Sequence, residues 1–213
     1  MALLAACTAV RAAGGHFSVD DASLLDPGQC EQETWYSRFQ AGAQLLHAGV
    51  NCRVGPVELD GAGEFSRTRE ASLTQWNLEV KWARDVGENL SVGLDAQPLW
   101  SVQQDPHFVG TRSYAILTWT PVNRLALNAN AGRDWLRNDR DLGRGGVSAE
   151  WQAFPGWTLI AERYLDAGTH YARAGAHWVV GRRWSLDLSY AQRLGGPQRS
   201  YGSLGVTLPL DRD

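Results

Sequence analysis

The sequence predicts an all-β fold, a 12-stranded antiparallel transmembrane β-barrel with short periplasmic turns. Three observations carry this reading. Apolar and polar residues alternate with a period of two from residue 31 onward, the mark of strands with two unlike faces. The 12 segments so marked are mostly 8–13 residues long, against the ~9–11 that a tilted strand needs to cross a bilayer. The links between them are alternately tight and long, the asymmetry of membrane barrels.

Composition agrees with a single folded domain. The chain has 213 residues, 44% of them hydrophobic and 20% charged, which is too apolar for disorder and right for one core. A net charge of −3 leaves no basic footprint for nucleic acid, so no nucleic-acid partner is expected. Beyond the N-terminus no run of 18 apolar residues occurs, and a transmembrane helix is not expected. Lys81 is the sole lysine among 20 basic residues.

Residues 1–13 read as a truncated secretory signal, an apolar run at 2–10 followed by small residues. Leu4-Ala5-Ala6-Cys7 also fits a lipobox; export follows from either reading. Residues 14–30 form an N-terminal arm or plug. Asp20 or Asp21 is placed to cap a short helix through Leu25, ended by Pro27-Gly28. The segment either folds into the lumen or remains a flexible terminal arm.

The barrel occupies residues 31–210. Its first two strands, 31–38 and 44–54, flank a turn at 39–43. Cys30 and Cys52 are placed symmetrically about that turn, which sets them opposite each other within reach of a disulfide. Strands follow at 57–66, 72–84, 90–99, 109–120, 125–135, 145–154, 157–166, 171–180, 184–193 and 200–208. The alternation is faultless from Gln75 to Trp82 and recurs from Leu90 to Gln97, Val147 to Ala153 and Trp184 to Tyr190. Tight links fall at Gly55-Pro56, Asp85–Asn89, Pro121–Arg124, Pro155-Gly156 and Gly181–Arg183. The longer ones include Trp100–Phe108 and Leu136–Arg144.

Taking the apolar parity as outward, Trp82, Trp119, Trp157, Trp178 and Trp184 all fall at the short-turn end and on the outer face. That is where an aromatic girdle belongs. Trp135 and Tyr190 are candidates for the opposite girdle, and Arg133 and Arg163 lie outward near it. There the cations meet lipopolysaccharide phosphates or snorkel. The competing architecture is a soluble sandwich or lipocalin-like barrel with the apolar face inward. An apolar 12-stranded interior is too wide to fill with side chains, since eight strands just fill.

Tight turns followed by an aromatic or apolar restart recur at Pro121 to Leu127, Pro155 to Leu159 and Gly181 to Leu186. With these the chain resembles a small outer-membrane β-barrel protein of a Gram-negative bacterium, at superfamily level. The resemblance implies outer-membrane lipid and lipopolysaccharide as surroundings and the barrel-assembly machinery as partner. An envelope transport partner is a further implication. The last strand departs from the pattern, with Leu208 and Leu210 where aromatics are usual.

The polar parity faces the lumen. Its candidate lining residues are Glu58, Asp60, Glu79, Lys81, Asp95, Asn128, Asn130, Glu150, Glu162, Arg173, His177 and Asp187. They line a water-filled passage, cation-preferring because acids outnumber bases, or they pair across strands and close it. Catalysis lacks a diagnostic constellation: no Gly-x-Ser-x-Gly, His-Glu-x-x-His or phosphate-cradling glycine loop occurs. By parity His177 shares the lumen with acids such as Glu162 on the adjacent strand, which general-base duty would need, although a lone lumen histidine is more often a hydrogen-bonded wall residue. No cofactor and no resident metal are expected, although His16 with Asp20 and Asp21 offers a transient metal contact. The expected role is passive or facilitated passage of small polar solutes, or an accessory place in envelope transport. The alternatives are a closed structural or surface-interaction barrel, with docking at Arg137–Arg144, and a lipid-modifying enzyme.

Overall fold

The computed structural model describes residues 16–181 and 184–210. The expected signal sequence lies outside them. Among the described residues there are twelve strands: β1 (Cys30–Phe39), β2 (Gln44–Val54), β3 (Val57–Arg67), β4 (Ser72–Gly87), β5 (Leu90–Ser101), β6 (Phe108–Val122), β7 (Leu125–Leu136), β8 (Leu142–Phe154), β9 (Trp157–Asp166), β10 (Thr169–Val180), β11 (Trp184–Gly195) and β12 (Tyr201–Pro209). Each pairs antiparallel with its sequence neighbours, and β1 pairs with β12 from Glu31↔Pro209 to Phe39↔Tyr201. Closure leaves no free edge, and every strand keeps a partner on both sides.

The register explains the disulfide. Cys30 stands directly opposite Cys52, with Cα atoms 4.1 Å apart, and the two are bonded. The bridge sits at the short-turn end, where the chain enters β1.

Two expectations about local structure are corrected. Residues 16–29 contain no helix. The backbone N–H groups of Val19, Ala22 and Leu25 donate instead to Glu162, Thr118 and Glu58 of the barrel wall. The Asp21 carboxylate accepts from Ser23 in a tight Asx contact. Donors taken up this way are lost to an i−4 ladder. The expected loop Leu136–Arg144 is also shorter, because β8 begins at Leu142. Arg144 is drawn into the barrel by Asp134 and Asp166, so it is no part of a surface docking loop.

The two faces separate as alternation requires. Leu78, Leu94, Leu188 and Leu204 point outward and are 51%, 58%, 63% and 53% exposed. An apolar outer face of this kind is the surface of a membrane-spanning barrel and not of a soluble one. Trp119, Trp157, Trp178 and Trp184 lie exposed near the short turns, and Trp82 is half-buried beside them. Trp157 and Trp178 stack with ring centres 5.0 Å apart. Toward the other end, Trp76 stacks on Trp100 at 4.1 Å, and the Arg133 guanidinium lies 5.3 Å from the Trp135 ring centre.

The outer face yields a depth test. Leu188→Arg, at mid-wall, is expected to destabilise the folded barrel by about 2–4 kcal/mol, and Leu90→Arg at the short-turn rim by about 0–1 kcal/mol. Denaturant titration in lipid vesicles measures both.

Candidate functional site: a lumen crossed by the N-terminal arm

Inward parity collects the ionisable side chains. Asp95, Asn128, Asn130, Glu150, Glu162, Arg173, His177, Asp187 and Lys81 are all buried inside the wall, and Glu58, Asp60 and Glu79 are half-buried on the same face. Glu58, Asp60, Glu79, Lys81, Glu150, Arg173 and His177 line a cavity of ≈ 620 Å³, and the other five lie in the wall outside its lining. Their arrangement follows the register, since cross-strand neighbours on one face lie about 4.5–5.5 Å apart between Cβ atoms.

Residues 16–26 run through this lumen. Beginning at the β1 entry, the Leu25 N–H donates to Glu58 at 2.8 Å, and Arg53 donates to the Leu25 carbonyl at 2.7 Å. Farther in, the Ala22 N–H reaches Thr118 Oγ1 at 2.8 Å. Asn130 brackets Asp20, its amide accepting from the Asp20 N–H at 3.0 Å and donating to the Asp20 carbonyl at 2.9 Å. Lys81 holds both Asp20 oxygens, at 2.9 and 3.0 Å, with Asp21 at 3.7 Å. At the far wall the Val19 N–H donates to Glu162 at 2.8 Å, and His16 Nε2 lies 3.0 Å from Ser189 Oγ. The arm therefore touches β2, β3 and β4 on one side, β6 and β7 midway, and β9, β10 and β11 on the other.

Two inward glycines make room for its tip. A Cβ on Gly205 would lie 3.1 Å from His16 Nδ1, and one on Gly175 would lie 2.9 Å from Phe17. Arg173 anchors the same tip. It donates to the His16 carbonyl, to Ser18 Oγ and to the hydroxyls of Tyr164 and Tyr201, and it forms a fully buried pair with Glu162 at 3.4 Å. Val19 packs on Tyr164, Tyr171 and Ala191, an apolar spot among the polar groups of the interior.

Arg173 and Asp187 each pair across to a neighbouring strand, as one of the two readings had it. His177 binds Asp187, at 2.8 Å, and not Glu162. The register sets His177 opposite Asp187 and Arg173 opposite Glu162, so Glu162 is committed to Arg173 and to the arm. Lys81 likewise turns to the arm, although Asp95 stands opposite it on β5. Glu79 accepts from Gln97 at 2.8 Å, and Asn128 donates to Glu150 at 2.7 Å. Arg112, Tyr114 and Arg144 also face this cavity, as does Tyr201, none of them singled out from sequence. Tyr164 and Tyr171 share the parity of Glu162 and Arg173, the signal that would have found them. Among the described residues no three His, Cys, Asp or Glu side chains converge to cage a metal.

Burial, reinforced by Arg173 and then by His177, holds the His16 imidazole down at about 3, against 6.5 when free. Docking thus favours the neutral ring. The stabilisation it brings is complete above pH 6.5 and fades as pH falls toward 3. Hydroxyl-radical footprinting is expected to show Phe17 and Val19 becoming reactive over that window, and His16→Gln to flatten the response.

The backbone is similar to that of solved outer-membrane proteins. A structure described as the KdgM porin superposes with a TM-score of 0.68 at 8% identity, over 84% of this chain and 98% of that one. The COG4313 outer membrane channel from Pseudomonas putida F1 gives 0.66 at 10% identity, over 89% and 98%. The NanC porin gives 0.60 at 12% identity, over 86% and 100%. At such identities the likeness is one of fold. No curated protein matches the sequence. The family described as "Uncharacterised conserved protein UCP029691" matches residues 1–210, and the chain belongs to it.

Proposed function

We propose that the chain is an outer-membrane channel for small polar solutes, with cations preferred, whose N-terminal arm is its plug. The observation that carries this is a polar, acid-rich lumen around a ≈ 620 Å³ cavity, crossed by a strap of backbone held through side chains. A barrel closed only for structural reasons has no need of a polar interior that a separate segment must fill. The fold shared with proteins described as porins and a channel supports the same reading. In it the short turns face the periplasm, lipid and lipopolysaccharide surround the wall, and the barrel-assembly machinery receives β12.

The strap is built to leave. Apart from Val19 its hold is largely polar, and polar contacts that exchange for water have a small net free energy. Lys81 is its central clasp. Lys81 is buried and Asp20 half-buried, so Lys81→Met, which leaves the arm's carboxylates without their cation, is expected to favour the undocked arm.

Planar-bilayer recording tests the proposal. The intact chain is expected to show rare, brief openings, and Lys81→Met or deletion of residues 16–25 to give long-lived steps. In a salt gradient the reversal potential takes the sign of cation preference. Inserted protein that stays silent in all three forms overturns the channel reading.

A further inference from the structure

The lipid-facing side of the wall carries charge of one sign. Among the described strand residues of outward parity every charged side chain is an arginine: Arg38, Arg67, Arg84, Arg133 and Arg163. Arg84 lies toward the short turns, and the other four lie toward the long-loop end. Arg133 has the Asp141 carboxylate at 4.0 Å and the Trp135 ring beside it. Arg38 and Arg67 are exposed and have no ion pair among the described residues.

Register brings these last two together. Gln44, the first residue of β2, stands directly opposite Arg38 of β1 on one side and Arg67, the last residue of β3, on the other. Adjacent strands are ~4.8 Å apart, so the arginines flank Gln44 with Cα atoms about 10 Å from each other. All three side chains are exposed. Beyond Arg38 the row continues to Gly202 of β12, where a Cβ would meet nothing nearer than 3.7 Å. Packing does not require that glycine, and it leaves the wall bare beside Arg38. Two residues deeper on the same face the row is Phe65, Leu46, Tyr36 and Leu204, from 39% to 53% exposed. The surface thus passes from apolar to cationic in one step. That change sets the arginine row at head-group level, where a lipid-facing arginine costs least.

A guanidinium presents a planar fork of donors that matches phosphate oxygens. Two such forks about 10 Å apart at their origins can close on one phosphate, with the Gln44 amide between them. We propose that Arg38, Gln44 and Arg67 clasp a lipid A phosphate of lipopolysaccharide beside the β1–β12 seam. The apolar row beneath takes the acyl chains, which a free phosphate would not use. Concentration of the arginines at the long-loop end selects the outer leaflet, and with it lipopolysaccharide over glycerophospholipid. The inference rests on the outer-membrane placement with periplasmic short turns, and not on conduction.

The test takes the full chain refolded in a neutral detergent, with no current read, so its failure is distinct from failure of the channel reading. Native mass spectrometry measures the lipid retained as detergent is stripped. The wild type is expected to retain diphosphorylated lipid A, and to hold lipid A without its phosphates about tenfold or more weakly. Arg38→Gln and Arg67→Gln should each weaken retention by about tenfold. Arg84→Gln removes the same charge from the opposite rim and should leave retention within about twofold. Gln44→Glu keeps both arginines but sets a carboxylate between them, and it should weaken retention as their loss does. It carries the comparison should an arginine variant fail to fold. Equal losses with Arg84→Gln, indifference to the phosphates, or equal retention of phosphatidylglycerol overturns the proposal by showing undirected attraction of anionic lipid only.

Discussion

The pairing of β1 with β12 is the constraint from which the rest follows. In hydrocarbon no water is available to satisfy backbone N–H and C=O groups, so a sheet can cross only if it closes. Closure over twelve strands sends one face of every strand to lipid and the other inward. Outside, the leucine and tryptophan belt is what the solvent demands. Inside, the circumference is too large for side chains to meet across the middle, and the interior must be wet, plugged or both.

The interior chemistry is a consequence of that geometry. Carboxylates accumulate on the inward parity, and each needs a donor, a cation or water. Several find one on the neighbouring strand: Glu162 has Arg173 and Asp187 has His177 directly opposite, and Glu150 has Asn128 on the diagonal. The arm supplies others, bringing backbone N–H groups to Glu162 and Glu58. An extended strap suits this task better than a helix, because its donors remain free to face the wall. The exchange is reciprocal, since Arg173 and Lys81 bind the arm's carbonyl and carboxylates in return.

The disulfide is placed to serve both parts. Cys30 is the point where the arm becomes β1, and its bond to Cys52 pins that junction to β2. The turn at Asp26 to Gln29, closed by a 3.0 Å backbone hydrogen bond, then redirects the chain inward. Movement of the arm is thereby confined to residues ahead of this point, and the seam between β1 and β2 stays shut whichever way the arm lies.

Local alternation was enough to mark the strands. From Gln75 to Trp82, and more weakly in eleven other segments, a period of two with turn residues between reads as β-strand. The alternately tight and longer links, with the width of a twelve-stranded interior, pointed to a membrane barrel over a soluble one. The tryptophans identified which face is outward. The position of Cys52 opposite Cys30 was legible for the same reason, since a hairpin's register is set by its turn. What lies inside was decided only by the tertiary structure. Periodicity says that Lys81, Arg173 and Arg144 have an inward or rim position, but it cannot say which of several carboxylates each will choose. That choice depends on an arm with no periodicity of its own, whose path is set by two inward glycines, a tyrosine cluster and the unmatched charges of strands far away in sequence.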